Sequence, residues 1–143
     1  MGEVERIHDQ LARAFAGGAW HGPALRELLA GVTSETAARR VLPRAHTIWE
    51  IVLHIAAWER AALGRLEGKP MKLSPDEDWP PVGQTSEQAW GATLEMLEEG
   101  HRRLAGAVAV SGGPEGSHSG GPDGPRRHGS AAVNGSAEGR IPY

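Results

Sequence analysis

Along the first 110 residues, apolar side chains recur at spacings of three and four, and nowhere do they alternate with polar ones. This property decides the fold class. A period near 3.6 gathers apolar residues on one stripe of a helix, whereas a half-buried strand needs a period of two. The chain therefore reads as all-α.

The first stripe is Val4, Ile7, Leu11 and Phe15, closed by Gly17-Gly18. Trp20-His21-Gly22-Pro23 reads as a loop, and its proline suits the start of a short helix carrying Leu25, Leu28 and Leu29. A weaker helical turn covers Ser34 to Arg40 and stops before Pro43. The second strong helix is expected from Thr47 to Leu66. Thr47 and Glu50 have the spacing of a capping box, in which a hydroxyl and a carboxylate each take up a free amide. Ile48, Ile51, Ile55, Trp58, Ala62 and Leu66 are the stripe expected to be buried, and Gly68 and Pro70 end the helix.

Residues 69 to 84 contain Pro70, Pro75, Pro80 and Pro81 and read as a long irregular connection. It exceeds the roughly two to eight residues that join antiparallel neighbours. A link of that length can cross a bundle end, which permits the helices on either side to run parallel. Thr85 and Gln88 repeat the capping spacing. Trp90, Leu94, Leu97, Leu104 and Val108 form the third long stripe, which is interrupted at His101.

The composition changes at residue 110. Residues 111–143 hold nine Gly, four Pro and five Ser, and the large apolar residues there are Val133, Ile141 and Tyr143. Such a segment buries too little surface to offset chain entropy, so it is expected to be disordered. The organisation is thus a helical bundle over 1–110 and a Gly/Pro/Ser-rich tail over 111–143.

Composition also excludes several functions. The chain has no cysteine, which rules out a disulfide scaffold, a thiolate zinc site and a thiol nucleophile. Its net charge of −3 gives no field that favours nucleic acid. Arg126-Arg127-His128 is too small a basic patch to change that. No apolar run is long enough to span a membrane, and MGEVERIHDQ lacks the apolar core of a secretory signal. The expected setting is the cytoplasm. No Walker loop, GxSxG, HExxH or dinucleotide fingerprint occurs.

Three blocks, AWHGPALRELLAGV, HTIWEIVLHIAAWERAALGRLEG and LSPDEDWPPV, stand in this order within residues 5–108. Together they resemble the DinB-like (damage-inducible) metalloprotein superfamily. The resemblance implies an up-and-down four-helix bundle with long crossover connections, often a homodimer. It also implies a divalent metal, zinc or nickel, held by one histidine of the second helix and two of an HxxxH motif on the fourth. Relatives include metal-dependent S-transferases and isomerases that use a low-molecular-weight thiol such as bacillithiol, mycothiol or glutathione against an electrophile. His54, in IVLHIAAW, matches the second-helix ligand. The HxxxH motif has no counterpart: GGPEGSHSGGPDGPRRHGS stands in its place, with His118 and His128 ten apart. The fourth helix is therefore expected to be lost or replaced by the tail, and metal binding through His54 is expected to be weak.

The remaining candidates follow from the residues themselves. Glu50, one turn before His54, is expected to orient its imidazole. His46 is four residues before Glu50 and about 12 Å from His54 on a straight helix, so it reads as a helix-start residue and not as a co-ligand. His101 reads as an interfacial histidine whose ring packs while one nitrogen reaches water. His21 reads as a turn residue near the bundle mouth. Asp76, Glu77 and Asp78 read as a solvated acidic loop, followed by Trp79 as a lip over a pocket or a cap on the core. No catalytic residue is assigned.

Overall fold

The structure is a computed structural model, and it describes residues 2–19 and 22–111. Six helices are present among them: α1 (Glu3–Ala16), α2 (Leu25–Leu29), α3 (Ser34–Ala38), α4 (Ile48–Leu66), α5 (Pro75–Asp78) and α6 (Glu87–Ser111). The described residues include no strand. None of these helices is long and apolar enough to cross a membrane. His21, and the tail apart from Ser111, lie outside the described residues.

Local chemistry sets the helix starts. At α4 the capping box forms as its spacing implies. The Glu50 amide donates to Thr47 Oγ1 at 3.1 Å, and the Thr47 amide donates to Glu50 Oε2 at 2.7 Å. At α6 the cap is Ser86 and not Thr85: the Ala89 amide donates to Ser86 Oγ at 3.1 Å. Gly68, with a φ of 76°, closes α4, a conformation that side chains with a Cβ avoid.

The connection between α4 and α6 has a more definite structure than an irregular link. Ser74 and Glu77 form a second capping box, and Pro75 sits in the first turn of α5. The start of this strap is held where the Met71 side chain occupies the place a Cβ on Gly64 would take.

Helices α4 and α6 pack side by side and run parallel, as the long connection permits. Trp49 meets Trp90 and Thr93 at one end, Glu59 meets His101 midway, and Leu63 clusters with Leu104 and Val108 at the other end. Helix α1 runs antiparallel to α6, with Phe15 beside His101 and with Val4 and Leu11 against the Leu104–Val108 cluster. The short helices α2 and α3 close one end. There the Trp90 indole N–H donates to the Val32 carbonyl at 2.7 Å, and Glu87 accepts from both the amide and the hydroxyl of Ser34.

The buried face of α4 differs from the stripe chosen by residue size. Trp49, Val52, Ala56, Ala57, Ala61, Leu63 and Gly64 are buried. Ile51, Trp58 and Leu66 remain 43%, 43% and 48% exposed. The helix is apolar around most of its circumference, so side-chain size alone does not mark the inner face. Small alanines take that face because they let α4 approach its neighbours closely.

Candidate functional site

His54 projects from α4 toward the strap. Its Nδ1–H donates to the backbone carbonyl of Asp78 at 2.7 Å, and Asp78 Oδ1 lies 3.1 Å from the same nitrogen. A carbonyl can only accept, so Nδ1 carries a proton, and in the neutral ring the lone pair is left on Nε2. This is the tautomer a metal requires, with the other ring nitrogen anchored by an oxygen. The side chain is 27% exposed.

Trp79 forms the wall of the site. Its indole stacks on the His54 ring at 3.9 Å between centroids and on the His46 ring at 3.6 Å, both within 10° of parallel. Two rings so close to one indole centroid cannot share a face, so the indole lies between the imidazoles. His46 and His54 thus approach the same residue from opposite sides and cannot share an ion. Below the strap, the Trp58 indole N–H donates to Asp78 Oδ1 at 2.6 Å. Asp78 therefore supplies its carbonyl to His54, and a carboxylate oxygen that accepts from Trp58 and also lies near His54 Nδ1.

Two expectations need correction here. Glu50 does not orient His54. Its carboxylate is committed to the Thr47 amide and to Arg40, at 2.6 Å, and His46 Nδ1 lies 3.4 Å away. Chiefly the Thr47 amide, then Arg40 and His46, hold the Glu50 carboxyl below the usual range against an opposing effect of burial. The orienting partner comes instead from Asp78, across the strap. The acidic run, accordingly, is more than a solvated loop. Asp76 is exposed, Glu77 caps α5, and Asp78 holds His54 and Trp58. Sequence patterning gives no sign of the Asp78 contact, because the acceptor is a main-chain carbonyl 24 residues along the chain.

His101 occupies a different environment. Its ring stacks on Phe15 at 3.8 Å and 6°, and its Nδ1 donates to Glu59 Oε1 at 2.9 Å. The two side chains are only 12% and 13% exposed. The ring packs as expected, but Nδ1 meets a carboxylate. Glu59 Oε2 is buried without a partner. Burial pushes the Glu59 carboxyl up, against the pull of His101. Glu59 escapes sequence analysis because a charge within the run Ala56–Ala62 reads as an outward-facing residue. The break in the α6 stripe at His101 was the available signal.

The histidines do not converge. Among the described residues, no group of three or more His, Asp or Glu side chains is placed to hold one metal ion. A groove of about 270 Å³ between α4 and α6 is lined by Leu53, Ala57, Met96, Gly100 and Pro80, with Arg60 at its side, but not by His54. His118 and His128 lie outside the described residues.

A family model of the DinB superfamily matches residues 19–133, a stretch that includes His54 and reaches past the end of α6. No curated protein and no solved structure matches the chain.

Proposed function

Because the chain belongs to the DinB superfamily, we propose that it is a DinB-like metal-binding protein, with His54 the contact for a divalent zinc or nickel ion and metal-dependent thiol transfer the role associated with its fold. The observation that carries this reading is the Nδ1–H to Asp78 carbonyl bond, which in the neutral imidazole leaves the lone pair on Nε2. A bound divalent ion supplies Lewis acidity that keeps a thiol as thiolate. This chain's own residues hold the imidazole in one tautomer, wall it with Trp79 and fix the strap through Ser74, Glu77 and Trp58.

The described residues fit one ligand and not a complete centre. One imidazole does not bind zinc tightly, and ligands recruited from elsewhere must be ordered on binding. The binding expected is therefore weak and substoichiometric, with zinc and nickel ahead of magnesium at an imidazole. A low-molecular-weight thiol and an electrophile are the small-molecule partners this role calls for. A cytoplasmic setting suits a chain without cysteine.

A second reading is a helical-bundle binding protein that uses no metal. It is favoured by the self-sufficiency of the cluster, in which His54 is already bonded to Asp78 and stacked on Trp79. Calorimetry with zinc and nickel on the wild type and His54→Ala separates the two. The metal reading expects weak binding that falls further in His54→Ala and fades at acid pH, where a protonated imidazole has no lone pair. Tight one-to-one binding that survives the substitution would place the metal elsewhere. No binding to either protein would favour the second reading.

A further inference from the structure

The groove of about 270 Å³ between α4 and α6 combines an apolar floor with two arginines, Arg60 and Arg103. Ala56, Ala57 and Leu63 are buried along it, beside Leu53, and Pro80 of the strap and Met96 of α6 extend the apolar lining. His54 does not line it.

The two arginines stand at the same level. In this parallel pair of helices Trp49 meets Thr93 and Glu59 meets His101, separations of 44 and 42 residues. Arg60 on α4 and Arg103 on α6 are 43 residues apart in sequence, so they lie across the groove from each other. Neither guanidinium has an ion-pair or hydrogen-bond partner among the described residues. The acids near them are committed elsewhere: Glu99 pairs with Arg102, Glu67 with Lys69 at 2.6 Å, and Glu77 with the amide and hydroxyl of Ser74. Two cations on facing walls repel each other, and an anion bound between them removes that repulsion.

Gly100 adds a separate observation. A Cβ there would meet nothing closer than Glu59 Oε2 at 3.7 Å, which is ordinary contact, so helix packing does not demand a glycine. Glycine weakens a helix interior relative to alanine. Its effect at this position is to keep the groove open.

These features define a ligand by its chemistry. The floor takes a hydrocarbon body. Two guanidiniums suit one carboxylate, whose oxygens match their paired donors. The volume falls just below the roughly 300–1,000 Å³ of ordinary small-molecule sites, so the body is a short chain or a single ring.

We propose that the α4–α6 groove binds a small amphipathic monocarboxylate, with its apolar body on Ala57, Leu63 and Met96 and its carboxylate between Arg60 and Arg103. The site is separate from His54 and does not rest on a metal there.

The test is a nitrogen–proton NMR titration of the full chain with octanoate, run in EDTA so that the outcome is independent of any metal reading. Saturable shifts are expected at the amides of Ala57, Gly100 and Arg103, with a Kd on the order of 1 mM. Octylammonium keeps the chain and reverses the charge; acetate keeps the charge and lacks the chain. Each should bind about tenfold more weakly or less. Arg60→Gln combined with Arg103→Gln should weaken octanoate about tenfold. Both side chains are exposed, so helix content by circular dichroism should hold. Gly100→Leu narrows the groove and should also weaken binding, whereas Arg6→Gln on α1 should leave it unchanged. Shifts confined to the strap around His54, equal binding of octylammonium, or an affinity indifferent to the two glutamines would overturn the proposal. So would a titration without saturable shifts, the result expected if another part of the chain already fills the groove.

Discussion

Two histidines of this protein are built from the same parts and differ in one. His54 and His101 each stack on an aromatic ring, Trp79 and Phe15, and each has Nδ1 bonded to an oxygen. At His54 that oxygen is the Asp78 main-chain carbonyl, with the partly exposed Asp78 carboxylate 3.1 Å from the same nitrogen. At His101 it belongs to Glu59, a buried carboxylate whose second oxygen has no partner. The Asp78 oxygens orient the His54 imidazole through Nδ1 from a partly exposed strap and leave Nε2 available to a ligand. A buried carboxylate ties the imidazole into the packing of three helices and makes that packing sensitive to protons. The first arrangement suits binding and the second suits architecture.

The largest effect expected from this contrast is at Phe15. Phe15→Ala removes the buried ring under His101 and opens a cavity where α1, α4 and α6 meet. The cost should be about 3–5 kcal/mol, read as a fall in the denaturant midpoint. Trp79→Ala removes a ring held on the partly exposed strap between His46 and His54, so about 1 kcal/mol is expected. Comparable losses from the two substitutions would show that the His54 region is as structural as the His101 region.

The next test concerns sign. Burial raises the Glu59 carboxyl in the folded protein. A raised group gives stability that is fully present below its unfolded value and is lost as pH rises through the folded value. Glu59→Gln removes that loss. The variant should gain on the wild type as pH climbs from the acid side toward neutrality, and the gain should vanish at acid pH. Asp78→Asn gives the smallest effect, because the shorter His54 contact is to the main-chain carbonyl and the exposed Trp58 contact keeps an amide oxygen. Less than about 1 kcal/mol is expected. A loss in Asp78→Asn as large as that in Phe15→Ala would erase the distinction between the two sites.

What could be read from the sequence was local or bounded by chain length. The Thr47–Glu50 box is set by four adjacent residues, and it formed. The length of the connection permits a parallel course of α4 and α6, and that course is the one present. The buried face of α4 could not be read, because a helix apolar nearly all round gives periodicity no purchase. What decides is which neighbour arrives: α6 settles on Val52 and Ala56, and Ile51 and Leu66 are left outside. His54 could be marked through family resemblance, but its partner could not. Glu50 was the near carboxylate and was already taken by its own cap, whereas Asp78 reaches His54 only because Ser74, Pro75 and Glu77 fold the strap back over α4. Glu59 was hidden for the converse reason: a charge buried by tertiary packing looks like any surface charge in one dimension.

The most direct measurement of the difference between the histidines is long-range nitrogen–proton NMR of the imidazole rings, recorded while zinc is added. The proton of His54 should reside on Nδ1. Zinc should perturb its Nε2 first and leave the His101 ring unchanged until the fold itself is affected. A proton on Nε2 of His54, or a zinc response that begins at His101, would contradict the assignment of binding to the strap and architecture to the core.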